Sequence, residues 1–317
     1  MKNNMDVSAI GIHMPKKRRS KIGRHEKIEG LCMALIPFLG FCLFTGFPLL
    51  LSLFVSFQDL HSYDLSTMTF VGFGNYISLF HNPMFKQAVV NTLYFCVSVP
   101  INLVSQLFLA NLLAKPLNKH FAKAARLILY IPTVIGGVAI SLIWNWILEP
   151  NFGVINTILG SLGLDKIGFT TTKEWFMPSV LLIKWWSVGM NVLVLQAALA
   201  NVDVSLQEAA CIDGAGSRKV FFRITLPQIS PMLVYTFTMS FIESFGEIST
   251  VQILSGNDIG PSGSAITLSY LIYRMTEAEV FTQGFGVASA LGWIMGIFTI
   301  TFLELSNWVA RKWLSYD

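Results

Sequence analysis

Charge is scarce in this chain. Of its 317 residues only 13% are Asp, Glu, Lys or Arg, while 53% are hydrophobic; a soluble globular protein carries about a quarter charged residues. The charge is also unevenly spread. None falls between Glu29 and Asp59, Lys86 and Lys115, Arg126 and Glu149, Arg223 and Glu243, or Glu279 and Glu304. Such runs do not make a water-soluble surface, but each holds a helix of ~20 residues, enough to cross the hydrocarbon of a bilayer. Cysteine is scarce too. Cys32, Cys42 and Cys96 lie inside apolar runs and Cys211 in a polar loop, which excludes a secreted disulfide scaffold and leaves four free thiols. The histidines, His13, His25, His61, His81 and His120, all fall outside the apolar runs, so no zinc or Ser/His site can be built at membrane depth. The chain has no HExxH, no CxxC and no G-x-x-x-x-G-K-[ST] phosphate loop. No catalytic residue and no metal ligand is assigned. If ATP drives this protein, another polypeptide binds it.

What is present predicts an all-α integral membrane protein with six spans, at 31–57, 86–113, 126–148, 177–202, 229–254 and 283–310. The first run is too long for the core of a signal peptide, and no small-residue cleavage site follows it, so it stays as a span. Basic residues flanking short loops set orientation. Eight precede the first span: Lys2, Lys16, Lys17, Arg18, Arg19, Lys21, Arg24 and Lys27. With the N-terminus inside, the cytoplasmic segments hold 17 of the 22 Lys and Arg, which predicts that both termini are cytoplasmic. The chain divides into a basic tail at 1–30, a membrane domain at 31–310 and a short tail at 311–317. The cluster Lys16 to Lys21 serves as a topology anchor in this reading; a site for nucleic acid or anionic lipid is the alternative.

Ionisable groups inside apolar spans are costly and therefore informative. Lys184 lies in the fourth span, Glu243 and Glu247 in the fifth, and Glu304 near the inner end of the sixth. Glu243 and Glu247 are four residues apart, so on one helix they share a face, turned toward a water-filled path or a basic partner such as Lys184. A structural ion pair that fixes helix packing explains them equally well. Trp185, Trp186 and Asn191 lie at the same depth, where aromatic faces and an amide suit a sugar; Trp186 suits plain packing as well.

The most informative stretch is the polar loop at 205–227. Ser205 with Glu208 three residues on matches a capping box, Leu206 to Asp213 form two turns, and Gly214 or Gly216 supplies a left-handed residue to end them. A second short helix through Phe221, Phe222 and Ile224 is expected to stop before Pro227. The small side chains of Ala209 and Ala210 let another surface approach the backbone, so the loop has the form of a docking element.

Glu208-Ala209-Ala210, Asp213-Gly214-Ala215, Phe221, Ile224 and Leu226-Pro227 resemble the EAA loop of permease subunits in bacterial ABC importers. Asp213 is similar to the carbohydrate-type members, while Gly216 stands where Ser or Asn is commoner. Phe70-Val71-Gly72, Asn75-Tyr76, Asn91-Thr92, Gly153, Asn156 and Gly260-Pro261 resemble further segments of these permeases, in the same order. The C-terminus lacks the glycine-rich tail of the second permease of such pairs, so the chain resembles the first, as in maltose, lactose or glycerol 3-phosphate permeases.

The resemblance implies a type I importer transmembrane domain, multi-pass in a bacterial inner membrane and surrounded by lipid. It also implies a second permease subunit, an ATPase dimer that grips the loop at 205–227, and an extracytoplasmic sugar-binding protein. ATP and Mg would be bound by the ATPase, with no cofactor on this chain and no nucleic-acid partner. The substrate path is expected along Lys184, Trp185, Asn191, Glu243 and Glu247. Two other readings stay open at this stage: a proton-coupled secondary transporter using the intramembrane charges as a relay, and a membrane anchor or scaffold. Both leave the loop without a role.

Overall fold

The computed structural model describes residues 24–61, 64–114, 119–277 and 284–313. Most of the basic tail, Lys115 and the last four residues lie outside the described residues. The described residues fall into two compact units that divide between Ser52 and Leu53. First, α1 (Arg24–Phe41) passes through one π-helical turn, Cys42–Gly46, into α2 (Phe47–Val55), within which that division falls. The side chains of Leu31, Phe38, Phe44 and Leu50 are all more than half exposed. An apolar surface on every side of a helix suits lipid rather than water.

In the second unit a two-residue antiparallel ribbon, β1 (Gln58–Asp59) with β2 (Thr69–Phe70), pairs Gln58 with Phe70. It precedes the short α3 (Gly74–His81) and the 32-residue α4 (Pro83–Ala114). Pro83 opens α4 where no backbone N–H is required. Then come α5 (Lys119–Val134), α6 (Gly137–Ile147), α7 (Val154–Ser161), α8 (Lys173–Trp186) and α9 (Gly189–Ala200). The rest is α10 (Val204–Ile212), α11 (Ser217–Val220), α12 (Leu226–Phe245), α13 (Ser249–Leu254), α14 (Leu268–Thr276) and α15 (Gly284–Trp313). Helix α4 packs on α9 and α12, and α14 packs on α15. Phe95, Phe176, Tyr270 and Leu291 are fully buried at the centre of the core.

Among the described residues three helices are long and apolar enough to cross a membrane: Ile28–Val55, Pro83–Ala114 and Gly284–Trp308. Two more crossings follow if each bent pair counts as one, Lys123–Val134 with Gly137–Ile147 (bent by 110°) and Lys173–Trp186 with Gly189–Ala200 (44°). The runs at 126–148 and 177–202 are therefore not straight helices. The first breaks at Gly136, which is extended (ψ 144°) and begins a new helix. In the second, Gly189 lies against α5: a Cβ there would stand 1.9 Å from Leu129 O, so only glycine permits the approach. The run at 229–254 divides as well, because α12 ends at Phe245 and α13 starts at Ser249.

Several residues singled out in the sequence hold loops in place. Asn91 Nδ2 donates to the carbonyls of Gly263 (3.1 Å), Ser264 (3.2 Å) and Ile266 (2.7 Å), while Thr92 Oγ1 accepts from Leu268 N (2.9 Å). Asn75 Nδ2 donates to Ser56 O (2.9 Å) and Gln58 O (2.8 Å). Asn156 donates to Pro150 O (3.1 Å) and Ile167 O (2.8 Å) and accepts from Ile167 N (2.9 Å). Each amide lets irregular backbone be buried, because the loop carbonyls find donors without water. Asn91→Ala should lower stability by about 3 kcal/mol, since it strands several buried carbonyls at once. Thermal aggregation of the detergent-solubilised protein, followed by size-exclusion, measures this; an unchanged profile refutes the role.

Candidate functional site

The three helix breaks meet. A cavity of about 240 Å³ is lined by α4, the first turns of α6, the α8–α9 bend, the last turns of α12 and the start of α13. Non-helical backbone at membrane depth is tolerated only where protein buries it or where it lines a cavity. Lys184, Asn191, Glu243 and Glu247 all reach this space. Lys184 Nζ forms an ion pair with Glu247 Oε2, the two side chains being 25% and 13% exposed. Glu247 Oε1 also accepts from Thr250 N (2.9 Å) at the head of α13, and Thr267 Oγ1 donates to Glu247 O (3.2 Å). Asn191 Nδ2 donates to Ser240 Oγ (3.1 Å).

Glu243 and Glu247 do not share a helix face, contrary to the i, i+4 expectation. Helix α12 stops at Phe245, and Glu247 sits in the break, where it caps α13. The cavity wall brings the two together instead. Trp185 stands apart from the cavity; it is 45% exposed and its Nε1 donates to Ser105 Oγ (3.0 Å). Trp186 packs edge-to-face on Trp144, with centroids 6.0 Å apart. Helix α4 contributes residues that the sequence reading passed over, Ser98, Asn102 and Gln106. Their signal was available: spaced by four, they form one polar stripe on an otherwise apolar span.

The loop after α9 forms a second feature. Asp203, not Ser205, caps α10, accepting from Ser205 N (2.8 Å). The helix starts at Val204, one residue ahead of Ser205, so the expected capping box does not form. Hydrogen bonds from the Ser205 hydroxyl and then its N–H hold the Asp203 carboxyl below the usual carboxylate range. Gly214 (φ +78°) ends α10: Ala215 N donates to Ala210 O (2.9 Å) and Gly214 N to Cys211 O (3.0 Å), a Schellman closure. Gly216 is extended and begins α11. The chain does not stop before Pro227. A π-helical turn, Phe221–Thr225, carries it from α11 into α12, which places Pro227 in the first turn of that helix, where its missing N–H is not needed. Glu208, Ala209, Asp213 and Gly214 are exposed, Ala210, Ala215 and Leu226 partly so. Gln228 Oε1 accepts from Asp203 N (3.2 Å), tying the loop to the foot of α12.

Apolar spans, a polar cavity among broken helices and an exposed loop fit a membrane transport subunit. The chain belongs to the family of binding-protein-dependent transport system inner membrane components, which matches residues 71–313. It is 32% identical over 275 residues to a probable ABC transporter permease of Bacillus subtilis, YurN, covering 84% of this chain and 90% of that one. It is 29% identical over 303 residues to the lactose transport system permease LacF of Rhizobium radiobacter, covering 94% and 99%. Its fold matches a chain of a bacterial ABC transporter involved in the import of the acidic polysaccharide alginate, with a TM-score of 0.74 and 25% identity, over 90% of this chain and 96% of that one.

Removing one partner of the Lys184–Glu247 pair leaves an uncompensated charge away from water. Lys184→Met should therefore destabilise the protein more than the double change Lys184→Met with Glu247→Leu, with a coupling of about 2 kcal/mol. A thermal-unfolding double-mutant cycle in detergent gives this value; strict additivity contradicts the pairing.

Proposed function

We propose that this chain is one of two transmembrane subunits of an ATP-driven importer in a bacterial inner membrane, and that the cargo is a carbohydrate. The polar cavity at the meeting of three broken helices carries the reading, because such breaks build substrate sites near the bilayer midplane. LacF supports a sugar as cargo. The three continuous spans and the two bent pairs make five crossings; we take α12, which has the length of a span at 20 residues, as the sixth. The distribution of Lys and Arg then puts both termini and the loop at 205–227 in the cytoplasm. The permease domain occupies 31–310 between the two tails.

In this reading the loop docks on an ATPase dimer, which binds ATP and Mg; this chain binds no cofactor and catalyses nothing. Glu208, Ala209, Ala210, Asp213, Gly214, Ala215, Gly216, Leu226 and Pro227 form the docking element. Ile212 is 87% exposed and Leu206 50%, so the loop presents apolar surface for a partner. The hydrogen bond from Asp203 to Gln228 and the helical run through Pro227 supply a mechanical link: a push on α10 reaches α12, whose other end lines the cavity. Closure of the ATPase would rock the bundle between inward-open and outward-open states. A second permease completes the path, and an extracytoplasmic binding protein, implied by the family's description, delivers the sugar.

Gly214→Pro cannot adopt φ +78°. That change and Glu208→Lys should each abolish uptake and co-purification of the ATPase while the protein still inserts in the membrane. Uptake at the normal rate in both variants sinks the docking role. The Lys184–Glu247 pair is the observation that favours a proton-coupled transporter; uptake that stops with a protonophore yet survives loss of the ATPase would establish that reading instead.

A further inference from the structure

The inference concerns which sugars the cavity accepts, and it rests on reading the cavity as the substrate path. Among the described residues, the charged side chains that line it are Lys184, Glu243 and Glu247. Lys184 is committed to Glu247. Glu243 has no ion-pair partner among the described residues and is exposed to the cavity, so the wall keeps one net negative charge. The uncapped first turn of α6 opens on the same space. A helix N-terminus is equivalent to about half an elementary charge, which does not cancel a carboxylate.

We infer that Glu243 is a specificity-determining residue that makes this half of the path selective for uncharged sugars over carboxylated or phosphorylated sugars of the same size. Glu243 acts by like-charge repulsion.

The test uses the whole complex, purified through a tag on this chain, freed of binding protein and immobilised in lipid nanodiscs. Weak-affinity retention is measured for maltotriose, cellotriose and α-galactotriose, and for trigalacturonate, the carboxylated counterpart of the last. The wild-type complex should retain at least one neutral trisaccharide about tenfold more strongly than trigalacturonate. Glu243→Gln should raise trigalacturonate retention about tenfold while that of the neutral sugar changes little. Equal retention of neutral and acidic probes, an unchanged ratio in Glu243→Gln, or retention of none of the four overturns the inference. Co-purification of the ATPase, scored on the same sample, separates this failure from failure of the importer reading: a complex that contains its ATPase but does not discriminate sinks only the charge selectivity.

Discussion

Within the hydrocarbon of a bilayer no water is present to satisfy a backbone N–H or C=O, and the rest of this structure depends on that constraint. A helix that breaks at membrane depth must find other partners for the groups it frees. The breaks at Gly136, at Ser187–Val188 and at 246–248 open on one cavity, and side chains there take over part of the task. Ser141 Oγ donates to Gly137 O (2.8 Å) and to Thr250 Oγ1 (3.2 Å), which joins α6 to α13. Glu247 accepts the N–H of Thr250 (2.9 Å) while it neutralises Lys184. A single carboxylate thus serves as helix cap, as counter-ion and as part of the cavity wall. The gap left between the three broken helices is polar because their ends are polar.

The same constraint explains the buried amides. Asn75, Asn91 and Asn156 lie where the chain leaves helical geometry, and each donates to loop carbonyls that no helix satisfies. They stiffen the segments around the bundle without taking part in chemistry. The exposed loop at 203–225 follows a different logic, since water is available to it. Its order comes from local closures, the Asp203 cap and the Schellman turn at Gly214, and this leaves its apolar side chains free to face outward. The segment is exposed and tied to the foot of a helix whose far end lines the cavity.

Much of this was legible in the chain, and the misses have physical causes. The apolar runs located the helices because charge is excluded from hydrocarbon, and Lys184 and Glu247 were marked as partners because an intramembrane charge needs one. The loop's left-handed turn was legible as Gly214 or Gly216, because a positive φ favours glycine so strongly, and the structure has it at Gly214. The N-terminus of α10 was misjudged: Asp203 and Ser205 both offer a capping oxygen, and only the start of the helix at Val204 decides between them. The break at Gly246 was missed because apolar residues resume at Ile248, so composition does not register the turn. Ser98, Asn102 and Gln106 were overlooked although their spacing was visible, since small polar residues in a span also satisfy their own helix backbone.

The sequence alone determined what depends on composition and local conformation: a membrane-embedded helical chain, the absence of a nucleotide loop, and the left-handed turn in the exposed loop. Tertiary structure decided what depends on residues far apart meeting. It bent two of the runs, divided a third, and brought Lys184 to Glu247 across 63 positions. It also left Glu243 without an ion-pair partner among the described residues, facing the same cavity. Hydrophobic periodicity says which residues avoid water; only packing says which polar groups are left facing one another once water has been removed.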